Sequence, residues 1–243
     1  MKHMIKKVFE FFLGSASQIV LRRLLFFLNN IKGGYHSLSE LDKQLEKYVD
    51  YDNGFYVELG ANNGVTYSNS LYFETKRNWK GILVEPTPHN FLLCREQRSK
   101  KNHIYCNACV SFDYKEKYVD IKYADMMSIS ENLDLDIEDK EAHIEGGRAH
   151  LKETETVFAF GAVAKTLNSL LEKAEAPKVI DFLSLDVEGA ELEVLKGINF
   201  EKFSFKYMLI EVRNLKLVED FLIERGYVLE KQFSSHDYLF KCV

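Results

Sequence analysis

The feature of this sequence that most constrains its fold is a repeated alternation of short apolar runs with segments of helical periodicity. The apolar runs have strand length and recur between residues 55 and 212, with helix-length segments between them. Because parallel strands need long crossover connections, this order indicates a mostly parallel α/β sheet. The predicted strands are Phe55–Leu59, Gly81–Glu85, His103–Ser111, Phe182–Asp186 and Tyr207–Val212. The predicted helices are Ser68–Lys76, Pro88–Arg98, Leu167–Ala174, Ala190–Lys196 and Leu215–Glu224.

Two further apolar runs close the chain. These are Tyr227–Phe233 and Asp237–Lys241, and only a short turn separates them. No crossover helix fits between them, so we predict an antiparallel hairpin. The fold class that follows is α/β, with a mostly parallel seven-stranded sheet that ends in a C-terminal antiparallel hairpin.

Two segments depart from this pattern. Residues 1–34 carry six basic residues against one acidic residue, and their longest uncharged run is shorter than the ~20 residues needed to span a bilayer. We expect a basic amphipathic helical segment that contacts a membrane surface, a glycosyltransferase partner, a second subunit or its own domain. Residues 35–243 form the main domain, in which an acidic insertion at about 120–160 lacks a clear period. That insertion predicts either a lid over a site or a plain surface excursion.

The start of the main domain carries a helix signal. Ser37 and Glu40 have the spacing of a capping box, in which each side chain bonds to the other residue's backbone amide. We therefore predict a helix that begins here and runs to about Val49.

Charge and cysteine content narrow the class of protein. The formal net charge is −5, which gives the whole molecule no electrostatic attraction to nucleic acid. Cys106 and Cys109 form a single C-x-x-C, and no second pair completes a zinc site, so we expect buried thiols in a reducing compartment. The expected location is cytoplasmic, and one alternative for residues 1–34 is peripheral contact with the inner face of the membrane.

The first motif with chemical meaning follows the strand Phe55–Leu59. Glu58 lies at the strand tip, and a turn containing Gly60 and Gly64 leads to Thr66 and a helix. Glycine lets the backbone pass close beneath a ligand and adopt positive φ, and a carboxylate at the strand tip suits a ligand's ammonium group. The G-x-x-x-G spacing differs from the G-x-G-x-x-G of pyrophosphate-binding loops.

Acidic residues also close two later strands. Glu85 follows the glycine turn by about twenty residues, where a carboxylate can accept both hydroxyls of an adenosine ribose. Asp186, Glu188 and Glu191 follow the apolar run that begins at Phe182. Because ligands bind outside the carboxyl ends of parallel strands, Asp186 and Glu188 should face one crevice with the earlier acids. They would serve as a general base, as metal ligands or as a wall facing a sulfonium ion, whereas Glu191 more simply favours the N-terminus of its helix.

Five stretches of the sequence together carry a family resemblance. They are ELGANNG from Glu58, GILVEP from Gly81, NACVS from Asn107, TLNSLL from Thr166 and SLDVEGAELEVLKG from Ser184. Their order and content resemble the FkbM family of methyltransferases from about Gly54 to the C-terminus. The resemblance implies a Rossmann-like class I methyltransferase sheet, S-adenosylmethionine as methyl donor, and O-methylation of acceptors such as sugars and polysaccharides.

The resemblance also implies roles for individual residues. The methionine part of the donor would lie on the turn after the first strand, the ribose on Glu85 and the adenine beside residues 107–109. The residues implied for donor binding are Glu58, Gly60, Ala61, Asn62, Asn63, Gly64, Thr66, Glu85, Pro86, Asn107, Ala108, Cys109 and Asp186. Asp186 and Glu188 would lie beside the transferred methyl group. One of them would remove the acceptor proton, or bind a divalent ion that acidifies the hydroxyl, with Glu211 and His236 as further candidates.

Other functions share parts of this pattern. A nicotinamide oxidoreductase would use the same ribose carboxylate, but the glycine spacing and the lack of a second α/β half count against it. A non-catalytic, membrane-docked adaptor would keep the fold, yet every motif acid is present. A protein methyltransferase would need a more open cleft. The function we expect is S-adenosylmethionine-dependent O-methylation of a hydroxyl of a sugar or glycan.

Overall fold

The computed structural model describes residues 34–151, 153 and 155–243. The basic segment predicted for residues 1–34 lies outside the described residues, apart from Gly34. The strands are β1 (Phe55–Leu59), β2 (Lys80–Val84), β3 (His103–Tyr105), β4 (Ala108–Cys109), β5 (Tyr118–Tyr123), β6 (Ile129–Ser130), β7 (Phe158–Lys165), β8 (Val179–Leu185), β9 (Ser204–Glu211), β10 (Tyr227–Gln232) and β11 (Asp237–Cys242). The α-helices are α1 (Leu41–Leu45), α2 (Leu71–Lys76), α3 (Pro88–Gln97), α4 (Lys140–Arg148), α5 (Leu167–Lys173), α6 (Glu191–Leu195) and α7 (Leu215–Ile223).

Seven of the strands form one sheet in the order β3-β2-β1-β8-β9-β11-β10. Its first five strands are all parallel, and β11 runs antiparallel between β9 and β10. This confirms the predicted fold class, a mostly parallel sheet with a C-terminal antiparallel hairpin. The single strand predicted over His103–Ser111 is wrong, because β3 pairs in this sheet whereas β4 belongs to a second one.

The second sheet has four strands in the order β4-β7-β5-β6 and occupies the chain between β3 and α5. Its longest pairing is antiparallel, between β5 and β7. Strand β5 alternates exposed and buried residues, as expected for a strand with one face on a core. That core contains Val119, Ile121, Leu133 and Ala162. The acidic insertion, for which we predicted no clear period, therefore contains much of a second sheet and a helix.

Alternation along the central strands places the two main cores on opposite faces of the first sheet. Val57 and Leu183 belong to the larger core, and their chain neighbours Tyr56 and Phe182 belong to the smaller one. Burying a large side chain contributes roughly 1.5–3 kcal/mol each, so this two-sided burial holds the strand ends in fixed positions. Within the described residues, no helix has both the length and the hydrophobicity that a bilayer-spanning segment needs.

The predicted capping box is wrong. Ser39 and Glu40 have positive φ, and a short 3₁₀ segment at Leu38–Glu40 precedes α1. Ser37 Oγ accepts from the amide of Asp42 at 2.6 Å, and the Asp42 carboxylate accepts from the amides of His36 and Ser37. The reciprocal cap thus joins residues 37 and 42, because the extra 3₁₀ turn moves Glu40 out of reach.

Candidate active site

One cavity of about 500 Å³ opens at the carboxyl ends of β1, β2, β8 and β9, and the second sheet forms part of its wall. It gathers most of the residues predicted from the sequence. Those that line it are Glu58, Gly60, Ala61, Asn62, Thr66, Glu85, Pro86, Asn107, Ala108, Cys109, Asp186, Glu188, Glu211 and His236. Parallel strands bring their carboxyl ends to one edge, so residues far apart in the chain meet here.

Glu58 lies at the floor of this cavity and is almost fully buried. Its Oε1 accepts from the amide of Asn69 at 2.9 Å, while Oε2 accepts from the hydroxyls of Ser68 and Ser70. Arg98, itself buried, donates to Oε2 at 3.3 Å. The carboxylate is thus engaged by the protein on both oxygens, and a ligand ammonium would have to share or replace one of these bonds.

The glycine turn after β1 is held by its neighbours on both sides. The amides of Gly60 and Ala61 both donate to the carbonyl oxygen of Val84 at 3.1 Å. Asn63 Oδ1 accepts from the amides of Val65 and Thr66, which closes the turn internally. Asn63 and Gly64 were predicted to bind the donor, but they do not line the cavity. They shape the turn on the side away from the cavity. There Gly64 packs against the side chains of Cys94 and Arg98.

Glu85 stands at the tip of β2 with its carboxylate oriented by two backbone amides. Oε2 accepts from Asn62 at 2.8 Å, and Oε1 accepts from Thr87 at 2.8 Å. Burial raises the pKa of Glu85, with a smaller contribution from the nearby Asp125. Cys109 also lines the cavity, and its burial raises the pKa of its thiol to about 12, so the thiol is neutral.

Three carboxylates meet at the other end of the cavity. One oxygen from each of Asp186, Glu188 and Glu211 lies within 4.8 Å of the other two. Asp186 is open to the cavity, yet the protein atoms crowded around it raise its pKa well above the usual range, and the charges of Glu211 and Glu188 add to this. The pKa of Glu211 is also raised, first by burial. Oxygen donors at this spacing would suit a proton shared between carboxylates or a hard divalent cation.

Comparison with known proteins decides the family. Residues 58–235 match the family model described as the methyltransferase FkbM domain, which covers well over half of the chain. The chain belongs to the FkbM methyltransferase family. As an FkbM methyltransferase it uses S-adenosylmethionine as its methyl donor, which confirms the predicted family and cofactor.

Solved structures similar to this FkbM methyltransferase are distant. TrmK of M. capricolum, in complex with S-adenosylhomocysteine, is 12% identical over 85% of this chain and 68% of that chain, with a TM-score of 0.43. The precorrin-6y C5,15-methyltransferase of Geobacter metallireducens GS-15 is 12% identical over 82% of this chain and 85% of that chain, with a TM-score of 0.39. No curated protein sequence matches the chain.

Two further predicted residues have distinct places in this FkbM methyltransferase. Glu191 is buried, and its Oε1 accepts from the amides of Val187 and Gly189 at 3.0 and 3.1 Å, so it secures the turn after β8. His236 is exposed at the rim of the cavity, where its Nδ1 lies 3.0 Å from the hydroxyl of Ser235. These two bonds give Glu191 a structural role in the turn. The sequence also favoured a structural role for it, at the N-terminus of the following helix.

Sequence reasoning missed two residues that contact the acid cluster and one that contacts Glu58. Arg213 Nη2 lies 3.1 Å from Oε2 of Glu188, and His143 Nε2 lies 3.2 Å from the same oxygen. Asn69 lines the cavity next to Glu58 and donates to Ser184 Oγ. None of the three belongs to a strand-end motif. Only Arg213 could have been found from the sequence, because it follows Glu211 at the end of β9 by two residues.

Proposed function

We propose that this FkbM methyltransferase transfers the methyl group of S-adenosylmethionine to a hydroxyl of a sugar or glycan. The observation that carries the proposal is the charge of the cavity. Seven acidic residues line it, and none of the described lining residues is lysine or arginine. Arg98 pairs with Glu58, Arg213 pairs with Glu188, and the raised pKa values of Asp186 and Glu211 reduce the negative charge further. The lining still offers a cationic sulfonium donor several carboxylates and offers phosphate groups no lysine or arginine, so it favours an uncharged, hydroxyl-rich acceptor over nucleic acid.

We place the donor in the cavity in one direction. Glu85 would take the ribose hydroxyls, Asn107 to Cys109 would border the adenine, and the turn at Gly60 would carry the methionine part. The methyl group then lies toward Asp186, where the acid cluster begins. Serine hydroxyls at residues 39, 234 and 235 also line the cavity and offer partners to a sugar.

The chemical step is an in-line displacement. The acceptor oxygen forms a bond to the methyl carbon while the carbon–sulfur bond breaks, and the hydroxyl proton passes to a carboxylate of the cluster. Alignment of the three atoms can contribute ~7–11 kcal/mol, and a positioned base roughly 10²–10⁴-fold in rate. The raised pKa of Asp186 makes it a stronger base than an ordinary aspartate once it is ionised.

A second route uses the same residues as ligands. A divalent cation held by Asp186, Glu188 and Glu211 would acidify the bound hydroxyl, and their spacing supports this reading. Chelation separates the two routes. Activity that survives EDTA assigns the proton to a carboxylate directly, whereas loss restored by added Mg²⁺ assigns it to a cation.

The proposal is tested with methyl-labelled S-adenosylmethionine and a panel of acceptors. We expect label in neutral sugars and oligosaccharides, and none in sugar phosphates or RNA. Asp186→Asn and Glu188→Gln should lower turnover about a hundredfold while the donor affinity stays within about threefold. Full activity in both variants would remove the cluster from the reaction, and methylation of RNA alone would refute the acceptor.

A further inference from the structure

A buried histidine in α4, the helix between β6 and β7, lies against the acid cluster of Asp186, Glu188 and Glu211. His143 is in α4, its side chain is 7% exposed, and its Nε2 lies 3.2 Å from Oε2 of Glu188. At that distance the two atoms touch, but the ring nitrogen makes no hydrogen bond within the described residues. The contact is therefore close without being aligned. A buried polar atom left in this state calls for an explanation, since such groups are nearly always bonded.

The fold holds α4 firmly in this position. Ile144 packs with Ala124 and Ile129, and the backbone of Gly147 lies so close to Ala124 that a Cβ would stand 2.7 Å from it. Helix α4 therefore cannot slide away from the site without losing this packing. The histidine is presented to Glu188 by a rigid element, which is how positioning groups are best held.

The same insertion also hydrogen-bonds to the two loops that follow the strand ends carrying the acid cluster. The amide of Asp136 donates to the carbonyl of Gly189 at 2.9 Å, in the turn that follows Glu188. The Asp136 carboxylate accepts from the amide of Asn214, in the loop that follows β9. Residues 136–143 thus link the turn after β8 to the loop after β9.

Glu188 itself needs such support. Its backbone is in the left-handed region, with φ of +53°, a conformation that residues other than glycine rarely adopt. Its Oε2 is approached by Arg213 on one side and His143 on the other. Both contacts are made to the same oxygen, and one oxygen of Glu188 lies within 4.8 Å of an oxygen each of Asp186 and Glu211.

We propose that His143 is a positioning residue that fixes the carboxylate of Glu188 toward the acceptor. This rests on the proposed function in taking Glu188 as part of the acceptor end of the cavity. His143 acts through Glu188 alone and does not touch donor or acceptor. When the acceptor occupies the cavity, a small rotation of the carboxylate completes the bond to Nε2.

The test uses two variants of His143, a double variant and a control at another histidine. In His143→Leu the side chain still fills the space but cannot bond, whereas in His143→Gln an amide nitrogen stands near the position of Nε2. We expect His143→Leu to lower kcat about tenfold with the KM for the donor within about twofold, and His143→Gln to recover most of the loss. In the Glu188→Gln background, His143→Leu should have no further effect. His150→Gln, at an exposed position after α4, serves as the control.

Several outcomes would overturn the proposal. These are additive losses in the double variant, unchanged kcat in His143→Leu, or equal losses in the Leu and Gln variants with weaker donor binding. Hydrogen exchange of the segment 185–192 gives a readout that needs no acceptor. Faster exchange in His143→Leu than in His143→Gln supports the contact even if no sugar is methylated, and equal exchange in both variants and the wild type refutes it.

Discussion

Gly60 lies against the main chain of Asp186, so that a Cβ atom at residue 60 would stand 1.9 Å from the carbonyl oxygen of Asp186. Gly60 also has φ of +76°, a region that side chains disfavour. The turn proposed to carry the donor and the strand end that carries the acid are therefore packed backbone against backbone. A side chain at residue 60 has to separate them.

We expect Gly60→Ala to lower the free energy of unfolding by more than about 2 kcal/mol and to weaken donor binding. Denaturant unfolding and calorimetric titration measure the two effects. Gly226→Ala is a matched control, because Gly226 has φ of +81° but nothing within 4 Å of a Cβ. It isolates the cost of positive φ, about 1 kcal/mol. Equal losses in the two variants would show that the contact with Asp186 is unimportant.

Glu85→Gln should weaken the binding of S-adenosylmethionine at least about tenfold. The glutamine amide replaces one acceptor oxygen with a donor, which then faces a backbone amide of Asn62 or Thr87 instead of bonding to it. Calorimetric titration gives the affinity. Glu116→Gln, on the exposed surface, should bind as the wild type does. Unchanged affinity in Glu85→Gln would remove this residue from the donor site.

Arg98→Leu should lower the free energy of unfolding by about 3–5 kcal/mol, because it leaves buried carboxylates without their partner. Arg98 pairs with Glu58 at 3.3 Å and with Glu74 at 2.8 Å, and its own side chain is fully buried. Arg95→Leu, one helical turn earlier and exposed, should change stability by less than about 1 kcal/mol. Similar losses in both variants would contradict a special cost of burying Glu58 and Glu74.

Glu191 gives a prediction about pH. Burial raises its pKa to about 7, above the usual value near 4.5 for the unfolded chain. The folded protein thus binds a proton that the unfolded chain releases earlier. The stabilisation from this proton is complete below about pH 4 and is lost as the pH rises through about 7. Between these values the effect amounts to at most about 3 kcal/mol.

Glu191→Gln should abolish this part of the pH dependence. The amides of Val187 and Gly189 both donate to the same oxygen, so a glutamine oxygen can accept both bonds. The variant should gain stability relative to the wild type as the pH rises from about 5 to 8. Chemical unfolding at a series of pH values measures the difference. Parallel curves for the two proteins would mean that Glu191 is ionised in the folded state throughout.

Much of the first sheet could be predicted from the sequence, because its strands are apolar on both faces and stand out as short runs. Strand β1 begins and ends where the run Phe55–Leu59 does. The meeting of Glu58, Glu85 and Asp186 at one edge also followed from strand direction alone. These inferences need only local pattern and the rule that parallel strands end together.

The second sheet was missed for a physical reason. Strands β4 and β6 have two residues each, too few to show a period, and β7 is exposed along most of its length. Only β5 alternates clearly, and one alternating run does not define a sheet. His143 and Arg98 were missed for another reason: they reach the site from 45 and 40 residues away in the chain, through contacts that only the fold creates.

The pairing of β4 with β7 determines how the cavity can exchange its contents. These strands are where the chain leaves the first sheet and returns to it, and they pair through Ala108–Ala164 and Cys109–Lys165. The inserted segment thus begins and ends on two strands that are hydrogen-bonded to each other, which gives this wall of the cavity two adjacent attachments to the rest of the chain. Leu38, Tyr67 and His236 are exposed lining residues at the rim, and we expect donor and product to pass there. The width of that rim would then limit the size of the acceptor that the enzyme admits.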